Sequence, residues 1–356
     1  REERGLRRIA RRRSRRPAVG PVQRRLHLSG ATPIEKPFSL AHANPATGAT
    51  TMTKTWEDHQ KLLAELDRQR IERETREERE RQETEEAPLR EQAIELAKVP
   101  VDLSRYRNER NLMLFPFCST AKAKRVKSIR YTSVDGKRWL EVTANYEYGM
   151  AKIWDFDILR FALSKAGEVA LQIGYFPPSV EFSGYECLKA LGRNPESGNN
   201  LKWIKEGLTR LCLTGYSGNI FRENEKITEI FTLIKANYVD QSGKLERITI
   251  SFDERLVESV RYSKGLLVID PNLLREEAGI KKRLLELVAV SMGKETSWTV
   301  NLERLRAMCA HEGELKGFKR QLKEYELPWI VGFSKTMGGG ENVTFKAKKP
   351  ISTTEE

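Results

Sequence analysis

The sequence has no long apolar run and no closely spaced cysteines. No stretch of about 18 apolar residues occurs, so no membrane-spanning helix is predicted. The Arg-rich first residues contain no apolar segment of the kind that a secretory signal needs. The four cysteines form no C-x-x-C motif, which disfavours a zinc site or a disulfide framework and suits a reducing cytosol. They are Cys118, Cys187, Cys212 and Cys309.

Histidine is also scarce, which weighs against enzymes that cut or rejoin DNA. Of the four histidines in the sequence, only His311 lies beyond residue 100. A metal-dependent nickase would need a His-hydrophobe-His cluster near a tyrosine, a tyrosine recombinase would need His-x-x-Arg, and an ATPase would need G-x-x-x-x-G-K-[ST]; none of these occurs. Asp155 and Asp157 resemble paired metal carboxylates, but Asp155 is placed to cap a helix. We therefore expect no enzymatic activity, no metal and no cofactor.

The net charge of +13 is unevenly distributed. Residues 1–51 contain 12 Lys and Arg against 3 Asp and Glu, whereas residues 52–99 contain 10 against 14. The remaining 41 basic and 33 acidic residues give residues 100–356 a charge of +8. The part of the chain whose apolar pattern predicts a folded core is therefore cationic, which fits a polyanionic partner such as nucleic acid.

Two segments precede the predicted globular part. Residues 1–51 combine arginine clusters with a Pro-, Gly- and Thr-rich stretch and are predicted to be a disordered basic arm. Because the first methionine is Met52, the arm could be upstream sequence translated in error; a genuine arm would bind nucleic acid. Residues 52–100 are predicted to be a charged helical lead-in. Its segment over 55–86 is predicted to be a solvated helix or a disordered lead-in rather than a coiled coil, because no apolar heptad is sustained. The pairs that support this helix are Glu72/Arg76 and Glu77/Arg81.

Residues 101–262 are predicted to form a first domain of mixed helices and strands. Ser183 is placed to cap one helix, and Asp155 or Asp157 to cap another that ends near Ile173. The other expected helices are Gly184–Leu191, Asn200–Leu211 and Asp253–Val260. The expected strands are Leu112–Phe117, Val126–Thr132, Arg138–Ala144, Val180–Phe182, Leu211–Tyr216, Ile227–Tyr238 and Leu245–Phe252.

Residues 263–350 are predicted to repeat this order in shorter form, followed by a polar tail over 351–356. The expected strands are Leu266–Ile269, Ser297–Val300, Trp329–Ser334 and Val343–Ala347, and the helices are Ile280–Val290, Leu302–Ala310 and Glu314–Tyr325, with Pro271 and Asn301 at helix starts. In both domains the order is helix, strand, helix, turn, helix and hairpin. We therefore predict an α+β fold with two tandem winged helix-turn-helix domains after a disordered and charged-helical N-terminal region.

A repeated tetrad supports two related domains. Leu201-Lys202-x-Ile204-Lys205-x-x-Leu208 returns as Leu315-Lys316-x-Phe318-Lys319-x-x-Leu322. In both copies the apolar residues share one helix face and the lysines share another. A helix that is buried on one side and cationic on the other is what recognition of the major groove requires. Either copy alone could also be an ordinary amphipathic surface helix, and the matched register favours the DNA-binding interpretation.

The candidate DNA contacts lie on these two helices and on the hairpin that follows the second. Arg320, Gln321 and Asn200 are the candidate base readers, and the lysines are candidate phosphate contacts. The other predicted contacts are Asn199, Lys202, Lys205, Thr209, Lys316, Lys319, Lys323, Lys335, Thr336, Lys346, Lys348 and Lys349. The Gly338–Gly340 run is interpreted as a flexible hairpin tip. A further basic cluster could bind the DNA backbone or keep a strand edge soluble. It comprises Lys122, Lys124, Arg125, Lys127 and Arg130.

Several motifs resemble the plasmid replication initiator protein A family. They are Leu114-Phe115-Pro116-Phe117, Ile129-x-Tyr131, Trp139-x-Glu141-Val142, the Tyr-Gly-Met-Ala-x-Ile-Trp-Asp run over 148–155, and the block over 185–193. The resemblance covers roughly residues 111–350. Within the most specific run, Tyr148, Ile153 and Trp154 are expected to be core anchors and are not predicted to bind DNA.

The resemblance implies a protein of the bacterial cytoplasm that binds directly repeated origin sequences, called iterons, through tandem winged helices. It also implies recruitment of the host initiator and the replicative helicase, dimerisation through the first winged helix, and repression of its own promoter. A transcriptional repressor with the same fold and no replication role is the main alternative. A nuclease or nickase is a third class, which the histidine inventory disfavours.

Overall fold

A computed structural model describes residues 49–101, 103, 105–221, 228–241, 244–263, 265–327, 333–335 and 341–347. The chain divides into two compact units, residues 1–73 and residues 74–356. The predicted basic arm lies outside the described residues as far as residue 48. No helix in the part that the structure describes is long and apolar enough to cross a membrane.

Helix α1, Ala49–Leu96, is longer than the helix predicted over 55–86. Its apolar side chains Leu62, Leu63, Leu66 and Ile71 are exposed, so the prediction of a solvated helix is confirmed. The helix is stabilised along its surface by i,i+4 ion pairs that differ from the two predicted ones. They are Arg68–Glu72 and Arg81–Glu85, both at 3.0 Å, and Arg76–Glu80 at 3.8 Å.

The rest of the described chain alternates helices and strands. The helices are α2 (Arg110–Leu114), α3 (Phe156–Ile173), α4 (Gly184–Ala190), α5 (Gly198–Leu213), α6 (Glu254–Ser263), α7 (Asn272–Arg275), α8 (Gly279–Met292), α9 (Leu302–Met308) and α10 (Leu315–Glu324). The strands are β1 (Tyr106–Glu109), β2 (Ile129–Thr132), β3 (Trp139–Thr143), β4 (Ser179–Phe182), β5 (Gly215–Gly218), β6 (Glu229–Phe231), β7 (Ile234–Gln241), β8 (Lys244–Phe252), β9 (Leu266–Ile269), β10 (Ser297–Asn301), β11 (Phe333–Lys335) and β12 (Glu341–Lys346). The prediction of an α+β protein is confirmed.

One arrangement of six elements occurs twice. In the first module (α3, β4, α4, α5, β7 and β8), β4 pairs antiparallel with β8, and β8 with β7. In the second module (α8, β10, α9, α10, β11 and β12), β10 pairs antiparallel with β12, and β12 with β11. Each module therefore places three helices against a three-stranded sheet whose last strand is central.

Three predicted strands differ from the structure, and all three contain apolar runs. The predicted strand Leu211–Tyr216 begins inside helix α5, which ends at Leu213, and β5 begins only at Gly215. The residues predicted as the strand Leu112–Phe117 begin in helix α2, because the Glu109 carboxylate accepts a bond from Leu112 N at 2.9 Å and caps that helix. The predicted strand Ile227–Tyr238 is split between β6 and β7, which belong to different sheets. Strand β1, which pairs with β9, was not predicted. The predicted hairpin of β2 and β3 is confirmed, with Tyr131 opposite Leu140.

A buried network of charged side chains joins the two modules. Arg160 of α3 donates to Asp157 Oδ1 at 2.6 Å and from Nε to Glu286 Oε1 of α8 at 3.0 Å. Lys282 of α8 donates to Asp157 Oδ2 at 2.6 Å. Arg283 donates to Glu286 Oε2 at 3.2 Å. All five side chains are at most 2% exposed, so the network is part of the interior.

Candidate nucleic-acid interface

Helix α5 has the two faces that its sequence predicts. Ile204, Leu208 and Leu211 are buried, while Lys202 is 74% exposed. Gly207 lies where α5 crosses α3. A Cβ atom there would lie 3.0 Å from Ile158 Cδ1 and 3.2 Å from an Asp155 oxygen, so a larger residue would require these side chains to shift by a few tenths of an ångström.

The Asp155 carboxylate fixes α5 to α3 and does not cap α3. Its side chain makes no capping bond, so that prediction is wrong. Arg210 of α5 instead donates from Nε and Nη2 to the two Asp155 oxygens, at 2.7 and 2.8 Å. Both side chains are buried, and the bond with Asp155 raises the pKa of Arg210. A two-point contact of this kind fixes orientation as well as distance, so it sets the direction of α5.

Helix α10 repeats the arrangement in the second module. Phe318 and Leu322 are buried, and the His311 ring lies 5.2 Å from the Phe318 ring at the turn that precedes the helix. The Asn301 side chain caps α9 by accepting bonds from Glu303 N at 3.0 Å and Arg304 N at 3.2 Å, as predicted. Residues 315–324 therefore present one apolar face to the core and leave the other face for solvent or a ligand.

The second lysine of each tetrad is bonded to a carboxylate on a neighbouring strand. Lys205 of α5 donates to Asp240 of β7, and Lys319 of α10 donates to Glu341 of β12. All four side chains are partly exposed. We call these two contacts the helix–strand pairs. They place the end of each strand pair beside the cationic face of its helix.

The remaining predicted cations on the two helices point into solvent. Arg320 is 78% exposed and 4.0 Å from Glu324, and Lys202 is 3.9 Å from Glu206. Lys316 and Lys323 are exposed on α10, and Lys346 is exposed at the end of β12. Contacts this long between exposed groups hold the side chains only weakly, so they are available to an incoming anion.

The predicted amide and hydroxyl contacts are placed less favourably. Asn200 donates from Nδ2 to Asn194 O at 2.9 Å, and Thr209 donates to Lys205 O at 2.9 Å, so both serve the local backbone. Asn199 is exposed. The Gln321 Oε1 atom is buried without a hydrogen-bond partner, so two-point pairing with adenine would require this side chain to turn outward. The geometry therefore favours Arg320 over Gln321 as a base reader.

The predicted contacts of the last hairpin are described only in part. Lys335 lies in β11, where the structure gives its backbone. Thr336, Lys348, Lys349 and the Gly338–Gly340 tip lie outside the described residues. That these residues contact DNA stays a prediction.

Arg125 differs from the other members of the basic cluster over 122–130. It is buried and donates from Nη1 to Ala310 O at 2.5 Å, and its Nε lies 3.3 Å from a Glu312 oxygen. Arg125 therefore fixes its loop to the turn before α10 and is excluded as a backbone contact. Nothing in the local sequence distinguishes it from its neighbours. Lys122, Lys124, Lys127 and Arg130 are exposed.

The His, Cys, Asp and Glu side chains of the described residues are not grouped as a metal site requires. No group of three or more His, Cys, Asp or Glu side chains among them could hold a metal ion. All four cysteines are free thiols. Burial raises the pKa of Cys118 and of Cys309 to about 12, which keeps both protonated at neutral pH.

The family-specific run over 148–155 is largely structural, as predicted. Ile153, Met150 and Ala151 are fully buried, and Trp154 packs against the core while partly exposed. Tyr148 is 40% exposed, so its prediction as a core anchor is wrong. The run leads directly into Asp155 and therefore positions the α3–α5 contact.

Comparison with known proteins gives a family match and several similar solved structures. Crystal structures of domains 2 and 3 of RctB are similar to this chain. A selenomethionine structure has a TM-score of 0.47 at 13% identity and covers 67% of this chain and 98% of that chain. The second has a TM-score of 0.44 at 10% identity and covers 68% and 96%. Both similarities are too low to support a functional conclusion, and no curated protein matches the sequence.

The family comparison is more extensive. The family model described as replication initiator protein A matches residues 107–327, which is 221 of the 356 residues. The match begins within β1, includes both helices that carry the tetrads, and ends just after α10. It also contains all the motifs on which the sequence resemblance rests. This chain belongs to the replication initiator protein A family.

Proposed function

We propose that the two modules are tandem winged helix-turn-helix domains. In this proposal α5 and α10 enter successive stretches of the major groove of duplex DNA, and the strand pairs β7–β8 and β11–β12 are wings that lie along the backbone. The helix order and the pairing of the strand between the first two helices with the last strand of each wing support this assignment. The observation that carries it is the pair of matched helices, each buried on one face and cationic on the other.

Side-chain geometry indicates which residues of the proposed interface would contact bases and which would contact phosphates. Arg320 is long, exposed and able to donate two bonds to the edge of a guanine, so it is the proposed base reader. Lys202, Lys316 and Lys323 are point charges that neutralise phosphates and set the position of the helices without specifying sequence. Because non-specific affinity comes mainly from such charges, the lysines should determine the salt dependence of binding.

We propose that the protein initiates plasmid replication by binding repeated origin sequences and recruiting the host initiator and the replicative helicase. Membership of the family supports the initiator role. Dimerisation through the first module and repression of its own promoter are further parts of the proposal. No catalytic step by the protein is proposed, and incubation of supercoiled origin DNA with the protein and Mg²⁺ should leave it uncut and unrelaxed.

Two experiments test this function. Footprinting of the full chain on DNA that flanks its own gene should protect a set of direct repeats. A plasmid that carries this DNA should become established only in cells that supply the protein. If the protein gives a footprint on this DNA but the plasmid becomes established in cells that lack the protein, the protein is a repressor and not an initiator. If no footprint forms, the DNA-binding assignment itself is wrong.

An Arg320→Ala variant tests the proposed base reader, and Arg130→Ala is its matched control. Both arginines are about 80% exposed and each lies near one carboxylate, but Arg130 is on β2, outside both modules. Arg320→Ala should weaken binding to the protected repeat much more than binding to random DNA. Arg130→Ala should leave the ratio of the two affinities unchanged.

A further inference from the structure

The helix–strand pairs occupy equivalent places in the two modules. Lys205 and Lys319 are the same lysine of the repeated tetrad, four residues after its first leucine. Both acceptors lie close to a wing tip. Asp240 is two positions before residues 242–243, and Glu341 directly follows residues 336–340. Asp240 is on the first strand of its wing, β7, and Glu341 is on the last strand of its wing, β12. The same contact is therefore made by acceptors from different parts of the two modules.

The contact is specific to the second lysine of each tetrad. Lys202, the first lysine of the first copy, lies 3.9 Å from Glu206 on its own helix. Lys316, its counterpart in α10, is exposed. The side chains of Lys205 and Lys319 are only about a quarter to a third exposed, because the wing carboxylate and its strand cover them. In each module one lysine is therefore open to solvent and one is occupied by the wing.

A carboxylate and a phosphodiester are both oxyanions and offer an ammonium group the same kind of acceptor. When α5 or α10 lies in the major groove, the wing lies beside the DNA backbone, so phosphates approach the place where the carboxylate is bound. Like charges at that distance repel, and one ammonium group gains more from a phosphate that releases condensed counterions than from an aspartate that does not.

We propose that Asp240 binds Lys205 and Glu341 binds Lys319 in the free protein, and that each lysine exchanges its carboxylate for a DNA phosphate when the protein binds a duplex. The exchange deepens the proposed DNA-binding function and rests on it. In the free protein each pair holds the wing beside its helix. In the complex each lysine contacts the backbone, and the released carboxylate faces solvent. The carboxylates thereby lower the affinity for every duplex.

The test measures the affinity of the full chain for the footprinted duplex and for a random duplex of equal length, by fluorescence anisotropy over a range of salt concentrations. Asp240→Asn and Glu341→Gln keep the side-chain shape and remove the charge. Each should tighten binding to both duplexes about two- to fivefold, the range expected when an exposed ion pair no longer has to be broken. Lys205→Met and Lys319→Met should each reduce the slope of log affinity against log salt by about 0.9.

A double-mutant cycle separates the exchange from a general loss of negative charge. In a Lys205→Met background, Asp240→Asn should tighten binding no more than Glu246→Gln does, because the pair is already absent and only the general charge effect remains. Glu246→Gln is the matched control, since Glu246 is an exposed carboxylate on β8 of the same wing. Its effect should be the same in both backgrounds.

Three results would overturn the exchange. Weaker binding by Asp240→Asn and Glu341→Gln would mean that the pairs only position the wings. An unchanged salt slope in both lysine variants would mean that these lysines do not reach phosphates. An Asp240→Asn effect that is equally large without Lys205 would show that it results from the general loss of negative charge. If the wild-type chain binds neither duplex, the proposed function fails and the exchange fails with it.

Discussion

The buried network between α3 and α8 predicts a large effect for one isosteric substitution, Glu286→Gln. The Glu286 carboxylate accepts bonds from two arginines and one amide: Arg160 Nε at 3.0 Å, Arg283 Nη1 at 3.2 Å and Asn108 Nδ2 at 3.1 Å. Glutamine keeps the volume but removes the charge and directs an NH₂ group toward at least one of these donors. The cluster then contains three buried cations and the single carboxylate of Asp157.

Loss of one partner from a buried ionic network costs about 3–5 kcal/mol, because a charge remains in the interior without compensation. We expect Glu286→Gln to lower the free energy of unfolding by that amount. The matched control is Glu141→Gln. Glu141 bonds to Arg130 at 2.9 Å, and because Arg130 is 80% exposed, the control should lose at most about 1 kcal/mol.

Urea unfolding followed by both circular dichroism and tryptophan fluorescence measures the difference. Since the network joins the modules, both probes should report the same midpoint in the wild type. The double variant Arg160→Met/Glu286→Gln should lose less than the sum of the single variants, with a coupling of about 0.5–3 kcal/mol. A loss for Glu286→Gln no larger than that of the Glu141→Gln control would refute the assignment of Glu286 to a buried network.

Three further outcomes are expected. Arg320→Ala should cost about 1–3 kcal/mol on the protected repeat and relax base preference at one position, measured by binding to single-base variants of that repeat. Lys316→Ala should weaken all duplexes similarly and reduce the salt slope by about one, measured by anisotropy. Burial lowers the pKa of His311, so protonation favours the unfolded chain and stability falls as pH drops from about 7 to about 5. His311→Gln should lose less stability over that range in thermal melts, and equal losses would contradict the contribution of His311.

The helices that form the candidate site could be predicted because their signal is local. The apolar spacing of Ile204 and Leu208, and of Phe318 and Leu322, marks the buried face whichever element covers it. The Asn301 cap and the β2–β3 hairpin are local in the same sense, since each depends on a few adjacent residues. Features of this kind can be predicted because neighbouring residues alone determine them.

The features that sequence reasoning missed depend on partners far along the chain. Asp155 has the residue type and position of a helix cap, but Arg210, 55 residues later, binds its carboxylate with two charge-assisted bonds, which a capping bond does not outweigh. In the sequence Arg125 does not differ from its basic neighbours, but in the fold it donates to the carbonyl of Ala310. In the sequence Lys205 is equivalent to Lys202, but in the fold only Lys205 bonds to Asp240. In each case a hydrogen-bond partner far along the chain decides what the side chain contacts.

Helix α3 shows why the two modules form one structure. Asp157, Arg160 and Ser164 have the spacing i, i+3 and i+7 of a helix face, and a polar face is ordinarily solvated. All three are buried here. Asp157 and Arg160 meet Lys282 and Glu286 of α8, whereas Ser164 accepts a bond from Arg107 N of β1 at 2.7 Å.

Apolar faces would tolerate rotation or sliding, whereas complementary charges satisfy one another in a single register. Asp155 at the start of the same helix binds α5 through Arg210. Helix α3 therefore contacts α5 at its start, through Asp155, and α8 of the second module through Asp157 and Arg160. In the proposed complex, these contacts would set the spacing between α5 and α10 before any duplex is bound.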